Sequence, residues 1–143
     1  IDMARRIASD GEGATHLIVV ESYGLPPEHD ARLVAKAIAG STLFKAAVFG
    51  RDANWGRIMA AAGYSGADVD PTKADCIIKS SAGEGQVRKD GFGTDSSEEL
   101  AKAVLTEHDI TVIVDFHSGD GKAVAYGCDL TYEYVKINGD YRT

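Results

Sequence analysis

A carboxylate between two glycines is the first feature of this chain that is able to do chemistry. Gly11, Glu12 and Gly13 lie directly before an apolar run, so the backbone there can approach a ligand closely. The carboxylate of Glu12 suits the amine of a small molecule. A solvated glutamate in a surface turn is the alternative, and the residues alone leave both interpretations open.

The only tryptophan lies in a second unusual stretch, at residues 49–58. Charged and amide side chains surround Trp55 there, at the predicted start of a helix. This pattern favours Trp55 as a core anchor for that helix, with the neighbouring arginines solvated or paired with acids. Whether Arg51, Asp52 and Asn54 line a pocket is a question that the residues alone leave open.

The remaining polar clusters predict turns. His117 with Asp115 and Asp120 is the only local group that resembles metal ligands, and polar residues around a turn explain it better. No metal site is therefore predicted. Residues 119–122 lack the glycine and Ser/Thr spacing of a phosphate-binding loop, so a tight turn is the better interpretation there too.

Composition limits the class of protein. The 143 residues are 44% hydrophobic and 26% charged, which matches one globular domain over 1–143. The net charge of −7, without a long run of Lys and Arg, argues against nucleic acid as a partner.

Residues 17–20 form the longest apolar run, far short of the roughly 20 that a spanning helix needs. With no secretory signal visible, the sequence predicts a soluble cytoplasmic protein, and Cys76 and Cys128 are expected to be free, buried thiols.

Alternating helical and extended patterns must position these residues. Apolar positions at offsets 0, 3, 4 and 7 predict buried helical stripes, whereas short apolar or alternating runs predict strands. The predicted elements are a helix over 3–8, a strand over 15–23, a helix from 28, a helix over 55–63 capped by Asp52 or Asn54, a strand over 76–80, a helix from 96 or 97 to 105, a strand over 109–116, a strand that ends near 128, and a helix or strand over 130–138.

The last strands also carry a turn signal. Gly119, Asp120 and Gly121 predict a hairpin-type turn between the strand over 109–116 and the strand that ends near Cys128. Helices combined with an antiparallel hairpin indicate α/β layers with a mixed sheet, in contrast to a doubly wound parallel sheet.

Three segments resemble one known family. They are DGEGATH at 10–16, KAAVFGRDANWGRIMAAAGYSG at 45–66 and GCDLTYEYVKINGDYRT at 127–143. Their types and order are similar to those of the glutamate N-acetyltransferases, also called ornithine acetyltransferases, although the likeness is weaker over 67–110. The resemblance implies the C-terminal part of the β chain of that self-processing enzyme, with its layered helix–sheet sandwich.

The resemblance also implies a reaction. Family members cleave themselves into two chains, and the threonine that begins the second chain accepts an acetyl group from N-acetylornithine and passes it to glutamate in arginine biosynthesis. Some members also accept acetyl-CoA, and no other cofactor is implied. Because residue 1 is Ile1, the catalytic threonine is expected outside these residues. The implied partners are the α chain and the upstream segment that bears the nucleophile, in a hetero-oligomer.

Three residues match positions that bind substrate in the family. They are Glu12 of the GEGAT motif, Asn138 of the INGDY stretch, and Thr143. A carboxylate can pair with the amine of an amino acid, while an amide and a hydroxyl can bond its carboxylate. His16 departs from the family, in which a lysine is common after GAT, and this departure puts fine specificity in question.

Two other classes of function are compatible with the residues. One is a related self-processing aminopeptidase or amidohydrolase, which would hydrolyse without transferring the acyl group. The other is a noncatalytic module whose glycine turns bind a nucleotide. In a eukaryote, the family assignment would place the protein in the mitochondrial matrix instead of the cytoplasm.

Overall fold

The fold was analysed in a computed structural model, which describes Met3 and residues 14–26, 28–89, 92–93 and 98–129. The elements in chain order are β1 (Leu17–Leu25), α1 (Glu28–Gly40), α2 (Thr42–Phe49), α3 (Trp55–Gly63), a 3-10 turn (Pro71–Lys73), β2 (Asp75–Ser80), β3 (Gly83–Lys89), β4 (Phe92–Gly93), α4 (Glu98–Thr106), β5 (Asp109–Asp115) and β6 (Gly121–Cys128). Every predicted helix and strand in the described ranges is present, with bounds shifted by a few residues. The predicted helix over 3–8, apart from Met3, and the predicted helix or strand over 130–138 lie outside the described residues.

The strands form one mixed sheet in the order β4-β3-β2-β5-β1-β6. Only β1 and β5 are parallel, and the other neighbours are antiparallel. Side chains alternate between the two faces of a strand. On one face, alternate residues of the central strands join the core, among them Ile18, Val112 and Ile78, and the buried sides of the helices complete it. The predicted α/β architecture with a mixed sheet is therefore confirmed.

Strand β1 is central, with β5 on one side and β6 on the other. Its first four residues are buried, as the continuous apolar run predicts. Helix α1 packs across β1 and β6, and its Ala31, Val34, Ala35 and Ile38 are all buried, which confirms the predicted stripe. At Gly127 the backbone of β6 comes so close to α1 that a Cβ atom would lie 2.7 Å from the carbonyl oxygen of Ala39.

The predicted hairpin at 119–121 is wrong, although the turn and the following strand are present. β6 pairs with β1, which separates it from β5. The connection passes the end of β1, where a Cβ on Gly119 would lie 2.6 Å from backbone atoms of Pro26. Local turn residues report that the chain reverses but not which strand it joins. An antiparallel hairpin does occur, between β2 and β3, where Ser80 faces Gly83.

The prediction of Trp55 as a core anchor is also wrong. Its side chain is 38% exposed, whereas Ile58 and Ala62 on the same stripe are fully buried. Trp55 is the first residue of α3, so no preceding helical turn helps to cover it. Ile58 and Ala62 therefore anchor α3.

The two cysteines are free thiols, as expected, with Cys76 buried and Cys128 only partly buried. Among the described helices, none has the length and apolar character needed to cross a bilayer.

Candidate functional site

A buried histidine and a buried aspartate meet at the end of the sheet where β1 begins. His16 directly precedes β1, and Asp129 directly follows β6. These ends are adjacent because Leu17 pairs with Cys128 in the antiparallel register. We refer to Thr15, His16, Asp129 and the carbonyl group of Leu105 as the His16 cluster.

Asp129 accepts four hydrogen bonds within this cluster. Its Oδ1 accepts from the backbone nitrogens of Thr15 and His16, at 2.8 and 2.9 Å. Its Oδ2 accepts from Thr15 Oγ1 at 2.5 Å and from His16 Nδ1 at 2.6 Å. The backbone nitrogen of Asp129 donates in return to the carbonyl oxygen of His16, at 3.3 Å. Asp129 therefore ties the two chain ends together through both main-chain and side-chain groups.

The second ring nitrogen of His16 determines its charge. His16 Nε2 lies 2.6 Å from the carbonyl oxygen of Leu105, in the last turn of α4. A carbonyl oxygen can only accept, so Nε2 carries a proton, and a second proton on Nδ1 allows the ring to donate to the Asp129 carboxylate as well. This geometry favours an imidazolium–carboxylate ion pair, with side chains only 7% and 0% exposed for His16 and Asp129.

Hydrogen bonding outweighs burial in setting the pKa values of this pair. Burial, the largest single contribution, lowers the pKa of His16, but the bonds to Asp129 and to the Leu105 carbonyl raise it above its ordinary value. Burial likewise acts to raise the pKa of Asp129, while the bonds from His16 and Thr15 lower it overall. Both pKa shifts favour the charged forms of the two side chains.

The substrate-binding residues predicted from the family motifs, Glu12, Asn138 and Thr143, lie outside the described residues. The structure therefore does not test whether they come together. It does show that Thr15 and Asp129, which are close in sequence to the segments bearing them, are hydrogen-bonded to each other at the end of the sheet where β1 begins.

A second histidine cluster lies at the opposite end of β1. His117 Nε2 is 2.8 Å from Asp75 Oδ2, and the His117 backbone nitrogen donates to Asp115 Oδ1 at 2.9 Å. We refer to Asp75, Asp115 and His117 as the His117 cluster. The side chain of His117 is 45% exposed and its backbone is left-handed, with a φ of 55°. No group of three His, Cys, Asp or Glu with the geometry of a metal site occurs in the described part of the chain.

The stretch at 49–58 forms one wall of an apolar groove. Asn54 caps α3 by accepting from the Arg57 backbone nitrogen at 3.0 Å, and Asp52 accepts from the Asn54 side chain. Arg57 donates to the carbonyl oxygen of Leu43 at 2.8 Å and so joins α3 to α2. The groove has a volume of about 520 Å³ and is lined by Ala37, Ser41, Leu43, Asn54, Gly56, Arg57, Ala60, Ala61 and Tyr64. Of the three residues in question, only Asn54 lines it.

The His16 cluster was not predicted from the sequence. In the sequence, His16 is notable only as a departure from the family motif, and Asp129 carries no functional signal. The available signal was a polar residue flanking each of two apolar strands. That signal points to a pair only when β6 is known to neighbour β1, and the hairpin prediction placed β6 elsewhere.

Comparison with known proteins tests the family assignment. The ArgJ family model matches residues 1–143. The arginine biosynthesis bifunctional protein ArgJ of Caldanaerobacter subterraneus subsp. tengcongensis is 56% identical over 141 residues, which cover 99% of this chain and 35% of the relative. The glutamate N-acetyltransferase of Methanopyrus kandleri is 49% identical over 99% of this chain and 36% of its own length. This chain thus spans about a third of these relatives.

A solved structure agrees with these similarities. The crystal structure of the arginine biosynthesis bifunctional protein ArgJ from Bacillus halodurans superposes with a TM-score of 0.91 at 48% identity, over 98% of this chain and 64% of that chain. Sequence and fold therefore match together along nearly all of the residues, and the resemblance seen in the three motifs is confirmed. This chain belongs to the ArgJ family.

Proposed function

We propose that this chain is part of a glutamate N-acetyltransferase, which moves an acetyl group from N-acetylornithine to glutamate in arginine biosynthesis. One observation carries the proposal: a protein named glutamate N-acetyltransferase is 49% identical over 99% of this chain. The name of the Caldanaerobacter relative supports arginine biosynthesis as the pathway.

The proposed reaction has two acyl-transfer steps. A threonine hydroxyl attacks the acetyl carbonyl carbon of N-acetylornithine, the amide C–N bond breaks, and ornithine leaves with the transferred proton. The amine of glutamate then attacks the resulting ester, which releases the threonine and forms N-acetylglutamate. In each step, the hydrogen-bond donors of an oxyanion hole stabilise the negatively charged oxygen of the tetrahedral intermediate.

In this proposal, the nucleophile of the reaction lies outside these 143 residues. The complete enzyme contains an α chain and an upstream β-chain segment that begins with the catalytic threonine after self-cleavage. The chain described above then works in a hetero-oligomer with these partners. The proposed location is the cytoplasm, or the mitochondrial matrix in a eukaryote.

Glu12, Asn138 and Thr143 are the proposed contacts to the amino-acid substrates. The carboxylate of Glu12 pairs with the substrate amine, while the amide of Asn138 and the hydroxyl of Thr143 bond the substrate carboxylate. The His16 cluster is consistent with this arrangement, because it joins the chain three residues after Glu12 to the start of the C-terminal segment.

The decisive experiment is an assay of the complete enzyme with N-acetylornithine and glutamate. Formation of N-acetylglutamate and ornithine in equal amounts is expected. Release of free acetate without N-acetylglutamate would instead favour the aminopeptidase or amidohydrolase alternative. Replacing N-acetylornithine by acetyl-CoA in the same assay tests whether the thioester is a second donor.

A matched pair of variants tests the role of Glu12. We expect Glu12→Ala to raise the KM for glutamate or N-acetylornithine on the order of tenfold to a hundredfold, because it removes a charge-assisted contact. Glu99→Ala, which removes an exposed glutamate of α4, is the control and should leave both KM values unchanged. Unchanged steady-state kinetics in Glu12→Ala would refute the role.

A further inference from the structure

We propose that the His16 cluster positions the amino-acid pocket, acting through the chain without touching substrate. This inference rests on the proposed function, because it concerns the segments that carry Glu12, Asn138 and Thr143. His16, Thr15 and Asp129 are in this view positioning residues of the transferase.

The first step of the argument is the convergence of three elements. The cluster joins the residues before β1, the residue after β6 and the last turn of α4. Thr15 and Asp129 are 114 positions apart in sequence, yet they share two hydrogen bonds. Asp129 thus fixes where the C-terminal segment leaves the sheet relative to where the N-terminal segment enters it.

The second step concerns the hydrogen bonds that hold the side chain of Asp129. Among the described residues, the Asp129 carboxylate accepts four hydrogen bonds from Thr15 and His16, including those from both of their backbone nitrogens. The side chain of Asp129 is fully buried, so water does not compete for these contacts. A carboxylate held in this way restrains the backbone at residues 15 and 16 as well as its own.

The third step is the number of residues that separate each proposed contact residue from the His16 cluster. Glu12 lies only three residues before Thr15 in the sequence, and a short length of chain leaves little freedom between them. Asn138 is nine residues beyond Asp129 in the sequence, a longer length of chain with more freedom. Loss of the cluster is therefore expected to affect Glu12 more than Asn138.

The substitution series follows from the chemistry of the pair. Asp129→Asn removes the negative charge, and one amide oxygen cannot replace two carboxylate oxygens. His16→Gln removes the positive charge but keeps a donor. His16→Lys restores a cation able to bond both Asp129 and the Leu105 carbonyl. His117→Asn is the control, because the same residue type is changed in the exposed cluster and asparagine tolerates its left-handed backbone.

The first experiment is amide hydrogen exchange of the complete enzyme, followed by mass spectrometry. In Asp129→Asn and His16→Gln, exchange over residues 10–16 should accelerate about tenfold or more, with a smaller increase over 130–143. The far-UV circular dichroism spectrum of each variant should match that of the unsubstituted enzyme, which shows that the fold is kept. His16→Lys and His117→Asn should leave residues 10–16 as they are. Unchanged exchange at 10–16 in Asp129→Asn would overturn the inference, whatever reaction the enzyme catalyses.

The second experiment is steady-state kinetics of the same variants. A positioning role raises the KM for glutamate or N-acetylornithine about tenfold in His16→Gln, with kcat much less affected, and His16→Lys restores the KM. A purely structural role lowers the active fraction instead, so apparent kcat falls while KM stays constant, and that result would also overturn the inference. If the unsubstituted enzyme transfers no acetyl group, the proposed function fails, while the exchange data still decide whether the cluster holds residues 10–16.

Discussion

The His16 and His117 clusters place the same two side-chain types at opposite ends of β1, one in the interior and one at the surface. The His16 and Asp129 side chains are 7% and 0% exposed, whereas those of His117 and Asp75 are 45% and 22% exposed. The contact distances are similar, at 2.6 and 2.8 Å. Distance alone therefore does not distinguish the two pairs.

Burial is what makes the two pairs differ in their consequences. A charge without its partner in the interior retains the full cost of desolvation, but at the surface water replaces the lost partner. The His16 cluster also bonds three backbone groups, at Thr15, His16 and Leu105, and so couples side-chain charge to chain position. In the His117 cluster, the backbone hydrogen bond from His117 to Asp115 joins residues two positions apart, so the turn after β5 already sets the position of that backbone.

The largest effect is expected at the buried aspartate. Asp129→Asn should lower the free energy of unfolding by about 3–5 kcal/mol, because it leaves the His16 imidazolium without a counter-charge. Asp75→Asn is the matched change in the exposed cluster and should cost about 1 kcal/mol or less. Urea unfolding of both variants measures the difference. Equal losses would show that burial does not separate the clusters.

The next effect concerns the backbone beneath the exposed cluster. Gly24 has a φ of 81°, and a Cβ there would lie 2.5 Å from the His117 backbone nitrogen. Gly24→Ala should therefore lower the free energy of unfolding by about 1–3 kcal/mol. At Gly40, no described atom outside its own helical turn lies within 4 Å of an added Cβ, so Gly40→Ala should be neutral or stabilise by about 0.4–1 kcal/mol. A harmless Gly24→Ala would mean that the turn adapts more readily than its contacts suggest.

The pH dependence of stability should come from the buried cluster. The pKa of His16 is raised above 6.5, so its contribution is complete below about 6.5 and is lost as pH rises through the folded-state value. The pKa of Asp129 is lowered from 3.8, so its contribution to stability is complete above about 3.8 and is lost as pH falls through the lower folded-state pKa. Besides Asp129, the charge of Arg51 also acts on His16 and opposes its protonation.

Urea unfolding of the unsubstituted protein and of His16→Gln at several pH values between about 5 and 9 measures this dependence. The stability difference between the two proteins should be greatest near the acidic end and should shrink towards the alkaline end. A difference that grows with pH would contradict the charged form assigned to His16.

The smallest effect is expected for the exposed histidine. His117→Asn should change the free energy of unfolding by no more than about 1 kcal/mol, because the pair with Asp75 is solvent-exposed and asparagine accepts the left-handed backbone. The same urea titration provides the measurement, with His16→Asn as the buried counterpart. A loss in His117→Asn as large as that in His16→Asn would remove the distinction between the clusters.

Much of the fold was predictable because its signals are local. The stripe of α1, the apolar centre of β1 and the cap of α3 each depend on residues a few positions apart, and each is present in the structure. The family motifs are local as well, and three of them in order were sufficient to assign the ArgJ family. The substrate-binding roles of Glu12, Asn138 and Thr143 stay predictions.

The errors share one origin, which is the environment of a residue in the folded chain. The spacing of Trp55 from Ile58 and Ala62 is that of a buried stripe, but the core ends before it reaches the first residue of α3. The turn at 119–121 reverses the chain as predicted, but the connection passes the end of β1, and β6 pairs with β1 instead of β5. Periodicity indicates which side of an element is apolar but not how far the core extends.

The sequence on its own determined the elements, the α/β class and the family, because these follow from short-range spacing and from motifs that do not depend on neighbours in space. Only the tertiary structure decided that β6 pairs with β1. That pairing brings Asp129 to Thr15 and His16 across more than a hundred residues. A polar residue beside a strand becomes a buried ion pair only when a distant strand supplies its partner and excludes water, and no local pattern encodes that meeting.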